Sequence, residues 1–109
     1  MNVLCKTIYM SQKDNGLHLL HNGDSLPTTN WKNEDTPGEQ FKEYIKLDSQ
    51  WATIELVDTE TEEDTVSIIF VCILPPDTEL LKGEWRPFTR KDFSRINSPT
   101  IFKAMQKIQ

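Results

Sequence analysis

The stretch Leu26-Pro27-Thr28-Thr29-Asn30-Trp31-Lys32-Asn33-Glu34-Asp35-Thr36-Pro37-Gly38-Glu39-Gln40-Phe41-Lys42-Glu43-Tyr44-Ile45-Lys46-Leu47-Asp48-Ser49-Gln50-Trp51 decides the fold. It reads as a strand end, a polar loop over 30–35 and a helix. Thr36 fits an N-cap, because its hydroxyl can accept a free backbone N–H, and Pro37 loses nothing at the first helical position. Glu39, three residues after Thr36, completes a capping-box pattern. Phe41, Tyr44 and Ile45 then make an apolar stripe at helical spacing, and the pattern carries the helix to near Ser49.

On either side the chain reads as strands. Asn2 to Met10 mixes Val3, Leu4, Cys5, Ile8 and Tyr9 with Thr7 and predicts a strand. Lys13-Asp14-Asn15-Gly16 predicts a tight hairpin turn, with Leu17 to Leu20 as the returning arm. Trp51 to Val57 alternates, with Trp51, Thr53, Glu55 and Val57 on one face and Ala52, Ile54 and Leu56 on the other. Asp58 to Asp64 reads as an acidic connection. Val66 to Leu74 is almost continuously apolar, which predicts the central strand covered on both faces. Pro75-Pro76 stops it. Glu84 to Phe88 adds a short strand, and Ser98-Pro99 opens a second helix over Thr100 to Ile108. The order β-β-α-β-β-β-α predicts an α+β fold, with helices on a mixed sheet, in a single domain over 1–109.

Charge narrows the function. The chain carries a formal net charge of −5, unevenly spread: residues 1–81 hold 5 basic and 15 acidic residues, whereas 82–109 hold 7 basic and 2 acidic. A general nucleic-acid binder needs continuous positive charge, so this balance argues against one. Cys5 and Cys72 sit inside apolar runs without CxxC spacing; buried free thiols in a reducing compartment fit, and a bridge between neighbouring strands is the other possibility. The apolar run 66–74 is far shorter than the roughly 20 residues a membrane helix needs. Met1 leads directly into a strand rather than a signal peptide. The expectation is a soluble cytoplasmic protein.

In unbroken register the opening stretch resembles the cassette of the Nudix hydrolases. In that family a Leu-Pro-Gly precedes Gly, five residues, Glu, seven residues, then Arg-Glu-apolar-x-Glu-Glu-x-Gly-apolar. Leu26-Pro27 stands at the Leu-Pro, Thr29 at the first Gly and Asp35 at the first Glu. Glu43 stands at the Arg, Tyr44 at the next Glu, and Ile45 at the apolar position. Leu47 and Asp48 stand at the Glu pair, Gln50 at the last Gly and Trp51 at the last apolar position. Glu84-Trp85-Arg86-Pro87-Phe88 is similar to a later family strand, and Pro99 to Ile108 to its closing helix. The resemblance implies a Nudix-like α/β/α sandwich with a mixed sheet and two main helices.

The resemblance also implies what is missing. Family members bind Mg²⁺ through helix glutamates, and Mg²⁺ demands oxygen ligands in near-octahedral geometry. Tyr44 and Leu47 replace two of those glutamates and Asp48 alone remains. The shaping glycines are Thr28, Thr29 and Gln50. The expectation is therefore a catalytically inactive binding or regulatory protein working through protein–protein contact, without a cofactor. The alternative is a divergent hydrolase, or a nucleotide sensor, for a nucleoside diphosphate derivative. Mg²⁺ would then be held by Glu39, Glu43 and Asp48 with Asp35 or Glu84. Glu39 and Glu43 share a helix face, with Asp48 about 140° away from Glu43.

Candidate ligand residues are Trp31, Tyr44, Trp85 and Arg86, with Phe88 as a further aromatic. Stacking on a nucleobase and ordinary core packing both fit these aromatics. Candidate partner contacts are the basic residues Arg90, Lys91 and Arg95, with Lys103 and Lys107 on the last helix. His18 and His21 fall on opposite strand faces and read as structural. No membrane association is expected.

Overall fold

The computed structural model describes residues 1–47 and 53–89. Strand β1 (Asn2–Lys13) is longer than expected and holds the centre of the sheet. It pairs in parallel with β6 (Thr65–Leu74), from Asn2 opposite Thr65 to Ser11 opposite Leu74. Its other edge is shared by two strands. β3 (Thr28–Asn30) pairs with Leu4 to Lys6, and β2 (Gly16–His21) pairs with Met10 to Lys13. β8 (Glu84–Pro87) extends the sheet beyond β2, and β5 (Ile54–Glu62) extends it beyond β6. The order β5-β6-β1-β2-β8 makes a mixed sheet with one parallel pair. The apolar run 66–74 is thus one strand away from the centre, and β1 takes the central place.

Strand alternation sorts the core into two clusters. Ile8, Met10, Leu19, Ile69 and Val71 face one side of the sheet. Tyr9, Leu20, Cys72 and Leu74 face the other, where they meet Phe41, Tyr44 and Ile45. That second side is covered by α1 (Thr36–Tyr44) and a small ribbon of β4 (Ile45–Lys46) with β7 (Glu79–Leu80). The broad α+β expectation holds. The second predicted helix, over 100–108, lies outside the described residues. No helix among the described residues is long and apolar enough to cross a membrane.

Three local expectations need correction. The helix stops at Tyr44 rather than near Ser49. Ile45 turns to extended geometry (φ −114°, ψ 129°), and the carbonyl of Tyr44 accepts the N–H of Leu81 at 2.8 Å. Cross-pairing with β7 therefore wins over the helix-forming Lys46 and Leu47. At the other end Asp35 is the N-cap residue and no side chain caps the helix. The Thr36 hydroxyl instead accepts the N–H groups of Lys32 and Asn33, both at 3.0 Å, and bends the loop back on itself. The acidic segment after Asp58 is not a connection, since β5 runs to Glu62 and the turn is Glu63-Asp64. The expected alternation over Ile54 to Val57 holds, with Ile54 in the helix-side cluster and Val57 in the opposite one, and a bulge between Leu56 and Asp58 shifts the register beyond it.

The hairpin turn is where it was expected, with Lys13 opposite Gly16, and Gly16 carries the positive φ of 117°. Both cysteines are free and fully buried. Cys72 lies opposite Tyr9 and Cys5 opposite Ile68. Four residues of strand put the thiols about 13 Å apart along the sheet, beyond the ~7 Å reach of a disulfide. Burial pushes the Cys5 thiol up and the Cys72 thiol up to about 12.

Gly83 sets the approach of β8 to β2. Its φ is +81°, and a Cβ there would stand 2.6 Å from the His21 carbonyl oxygen and 2.9 Å from Leu20 Cδ1. Gly83→Ala combines left-handed backbone strain with overpacking and is expected to cost roughly 2–4 kcal/mol. The midpoint of urea unfolding should fall with an unchanged slope; an unaltered midpoint would show that the contact relaxes freely.

Candidate functional site

The candidate site is the inner face of α1 where it meets β1 and β3. Gln40 fixes it. This side chain, 2% exposed, donates through Nε2 to the Cys5 carbonyl and to Thr29 Oγ1, each at 3.1 Å. Its Oε1 accepts the Tyr9 hydroxyl at 3.2 Å. A buried amide so fully satisfied ties helix to sheet with little desolvation loss. Sequence reasoning missed Gln40. The available signal was its place one residue before Phe41 and four before Tyr44, inside the stripe that had to be buried.

One turn later Tyr44, and beyond the helix Leu47, both matched to metal ligands, pack inward, whereas Glu43, matched to the Arg, is held in an ion pair. Tyr44 is 2% exposed, its ring 6.5 Å from that of Tyr9, and its hydroxyl accepts Asn22 Nδ2 at 3.1 Å. Leu47 packs half-buried against the same cluster. Glu43 binds Lys82 Nζ at 2.9 Å, and that ammonium sits 5.2 Å from the centre of the Tyr44 ring. The bond to Glu43 raises the Lys82 pKa, so the cation is held charged. Lys46 pairs with Glu79 at 3.4 Å.

Beside this face lies a cleft of about 80 Å³ lined by Thr29, Lys32, Thr36, Glu39, Gln40 and Glu43. A nucleotide-sized site needs roughly 300 Å³ or more. An open depression of about 500 Å³ along the outer side of the helix start, lined by Glu34, Asp35, Gly38, Glu39 and Lys42, reaches that size but is mostly acidic. Among the described residues no three His, Cys, Asp or Glu side chains come together as a metal site. Glu39 lines the cleft, Asp35 sits at the helix start and Glu84 is bound to Arg86. Asp48 lies outside the described residues. A Mg²⁺ ion of the kind the family uses does not fit Tyr44, Leu47 and a lysine-paired Glu43.

The four ligand candidates are not brought together. Trp31 stacks on Phe70, ring centres 6.1 Å apart and 8° from parallel, and its backbone N–H donates to the Val3 carbonyl. Tyr44 is core. Trp85 donates through Nε1 to the Thr78 carbonyl at 3.1 Å, packs on the helix-side cluster and lies under Lys13 at 5.3 Å. Arg86, opposite Leu19 in the register, belongs to the other sheet face, where it binds Glu84 at 2.6 Å and Asp24 at 3.6 Å. The bond to Glu84 raises its pKa. Phe88 packs on that same other face. Arg90, Lys91, Arg95, Lys103 and Lys107 lie outside the described residues.

His18 and His21 are both buried, with Nδ1 3.0 Å from the Gly16 carbonyl and 3.3 Å from the Leu19 carbonyl respectively. Flanking Leu19 and Leu20 face opposite sides of the sheet, so the two histidines do as well.

At the level of sequence, no family model and no curated protein matches the chain. The fold does match solved structures. The chain is similar to the Ap4A hydrolase of Caenorhabditis elegans, with a TM-score of 0.70 at 11% identity, covering 100% of this chain and 99% of that one. It is similar to a Listeria monocytogenes protein described as a Nudix hydrolase, at a TM-score of 0.68 and 11% identity over 99% and 94% of the two chains. It is also similar to the Nudix domain of Shewanella oneidensis NrtR in complex with ADP ribose, at 0.61 and 9% over 98% and 88%. The chain has the Nudix fold.

Burial of Tyr44 makes the site testable by substitution. Tyr44→Phe removes one hydrogen bond and should cost about 1 kcal/mol. Tyr44→Glu restores the carboxylate that the resemblance calls for but buries an unpaired charge, and should cost roughly 3–5 kcal/mol. Thermal melts should show the larger loss for Tyr44→Glu, unrelieved by Mg²⁺. A melting temperature restored by Mg²⁺ would mean that a metal site survives there.

Proposed function

We propose that this Nudix-fold chain acts by binding, without the family's hydrolysis, and that its ligand is another protein. The observation that carries the proposal is Tyr44. At the position of a metal-binding glutamate it serves the core, with its hydroxyl on Asn22 and its ring under Lys82. Leu47 adds an apolar side chain at a second such position. The neighbouring cation is an ammonium group already neutralised by Glu43. Electrostatic activation of water by a divalent ion needs several convergent oxygens, and α1 supplies them poorly.

Three features support a protein over a small molecule. The cleft against Gln40 is about 80 Å³, too small for a nucleotide. The open depression of about 500 Å³ next to it is lined by Glu34, Asp35 and Glu39 against one cation, Lys42, a balance that repels a polyphosphate. The aromatic residues that could stack a base are engaged one by one with Phe70, the core and Thr78. The charge of −10 over residues 1–81 against +5 over 82–109 offers a partner strong electrostatic steering.

The second reading is a nucleotide-binding or hydrolytic role. It is favoured by fold neighbours that include an Ap4A hydrolase and a domain in complex with ADP ribose. One experiment separates the two. The protein is incubated with Mg²⁺ or Mn²⁺ and Ap4A, ADP ribose and other nucleoside diphosphate derivatives, following phosphate-containing products and melting temperature. The proposal expects neither turnover nor a ligand-dependent rise. Metal-dependent turnover abolished by Glu43→Gln would establish the hydrolase, and stabilisation without turnover would establish the nucleotide sensor.

A further inference from the structure

The helix-side face of the sheet is not apolar only under α1. Along β6 the residues that alternate toward this face, Val66, Ile68 and Phe70, stay half-buried. Phe70 is the direct cross-strand partner of Leu56, which is 58% exposed, and Trp31 lies flat on Phe70 from the loop after β3. Val66 to Phe70 spans about 13 Å at strand spacing. A contiguous apolar strip of this kind marks an interaction surface more often than isolated exposed side chains do.

Carboxylates border the strip. At one end the β5–β6 turn carries exposed Glu63 and Asp64, while Glu62, opposite Thr65, alternates to the other face of the sheet. On the loop that delivers Trp31, exposed Glu34 and Asp35 follow within four residues and outnumber Lys32. Glu34, Asp35 and Glu39 share one depression beside α1 with a single cation, Lys42. An occupant that reaches past the strip therefore meets negative charge at the β5–β6 turn and on the loop that follows Trp31.

We propose that the Trp31–Phe70–Leu56 strip docks a cationic amphipathic segment of a protein partner, apolar side chains on the strip and lysines or arginines on the bordering carboxylates. The inference rests on the protein-binding function proposed above and names its surface and the chemistry of its partner. Two other occupants fit less well. A second copy would bring the same acidic border against itself, and like charges facing one another oppose association. A strand added to β5 would meet the bulge between Leu56 and Asp58, a feature that blunts sheet edges against pairing.

The test uses the full chain and two sets of short labelled peptides with identical Leu, Phe and Trp spacing. One set carries Lys and Arg at the remaining positions, and the other carries Glu and Asp. Fluorescence anisotropy should show binding of the basic set only, weakening as salt rises toward about 1 M. Leu56→Glu is the discriminating variant. It adds negative charge, so attraction by charge alone would tighten basic peptides, whereas docking on the strip should weaken them roughly tenfold. Leu56→Ala should weaken them in the same direction. Leu56 is exposed, so both variants should keep the wild-type melting temperature.

Equal binding of both sets, binding of neither, or unchanged or tighter binding to Leu56→Glu would overturn the assignment. So would a dimer in sedimentation that Leu56→Glu dissolves, since the strip would then be a self-interface. Failure here leaves the binding function standing with another surface, whereas metal-dependent turnover in the nucleotide assay removes the function itself.

Discussion

Tyr9, fully buried in the middle of β1, is the residue against which the helix is set. Its hydroxyl donates to Gln40, its ring lies 6.2 Å from Phe41 and 6.5 Å from Tyr44, and across the parallel ladder it faces Cys72. Burial pushes its hydroxyl far above the ordinary phenol range, so it stays a neutral donor. Gln40 relays that contact to the Cys5 carbonyl and to Thr29. Once these bonds form, the rotation of α1 about its axis is fixed, and Phe41 and Tyr44 must enter the core. The end of the helix follows, because Ile45 has to leave it to remain buried and to pair with Leu80.

This constraint connects packing to chemistry. In the matched cassette the positions of Tyr44, Leu47 and Asp48 belong to one helix whose carboxylates converge on a cation. Here the helix ends at the first of them, and the next described position lies past a strand pair. The side chains that replace the carboxylates strengthen the apolar interior instead. Lys82, anchored by Glu43 and resting over the Tyr44 ring, places a fixed positive charge on the same end of the helix. An ammonium beside one carboxylate competes with a metal ion for it. Of the described positions matched to ligands, Tyr44 enters the core and Leu47 packs against it, while Glu43, matched to the Arg, is held in an ion pair.

Much of this was legible in the sequence, and the rest has physical reasons for being hidden. β1, the 13–16 hairpin, the run 65–74 and the strand at Glu84 follow from local propensity and turn chemistry. The beginning of α1 follows from Thr36-Pro37, although Asp35 takes the cap position and Thr36 serves the loop. The end of α1 was not legible, because Lys46 and Leu47 are good helix formers and only the distant Glu79-Leu80 pulls their segment into a ribbon. The extension of β5 was hidden by its acidic residues, whose strand state depends on the ladder with β6. At the site, the loss of carboxylates at Tyr44 and Leu47 could be counted from the cassette. Their burial could not, and neither could the scatter of Trp31, Trp85 and Arg86, since spacing along a chain does not reveal which sheet face a side chain reaches.

The central claim is that α1 and the described residues after it, Ile45 to Leu47, do not hold a divalent metal ion. Mn²⁺ titration followed by amide NMR line broadening tests it most directly, because a bound paramagnetic ion broadens nearby amides whether or not any reaction follows. The account predicts no broadening centred on residues 39–47 below millimolar Mn²⁺. Selective broadening of those amides at micromolar Mn²⁺, lost in Glu43→Gln, would contradict it.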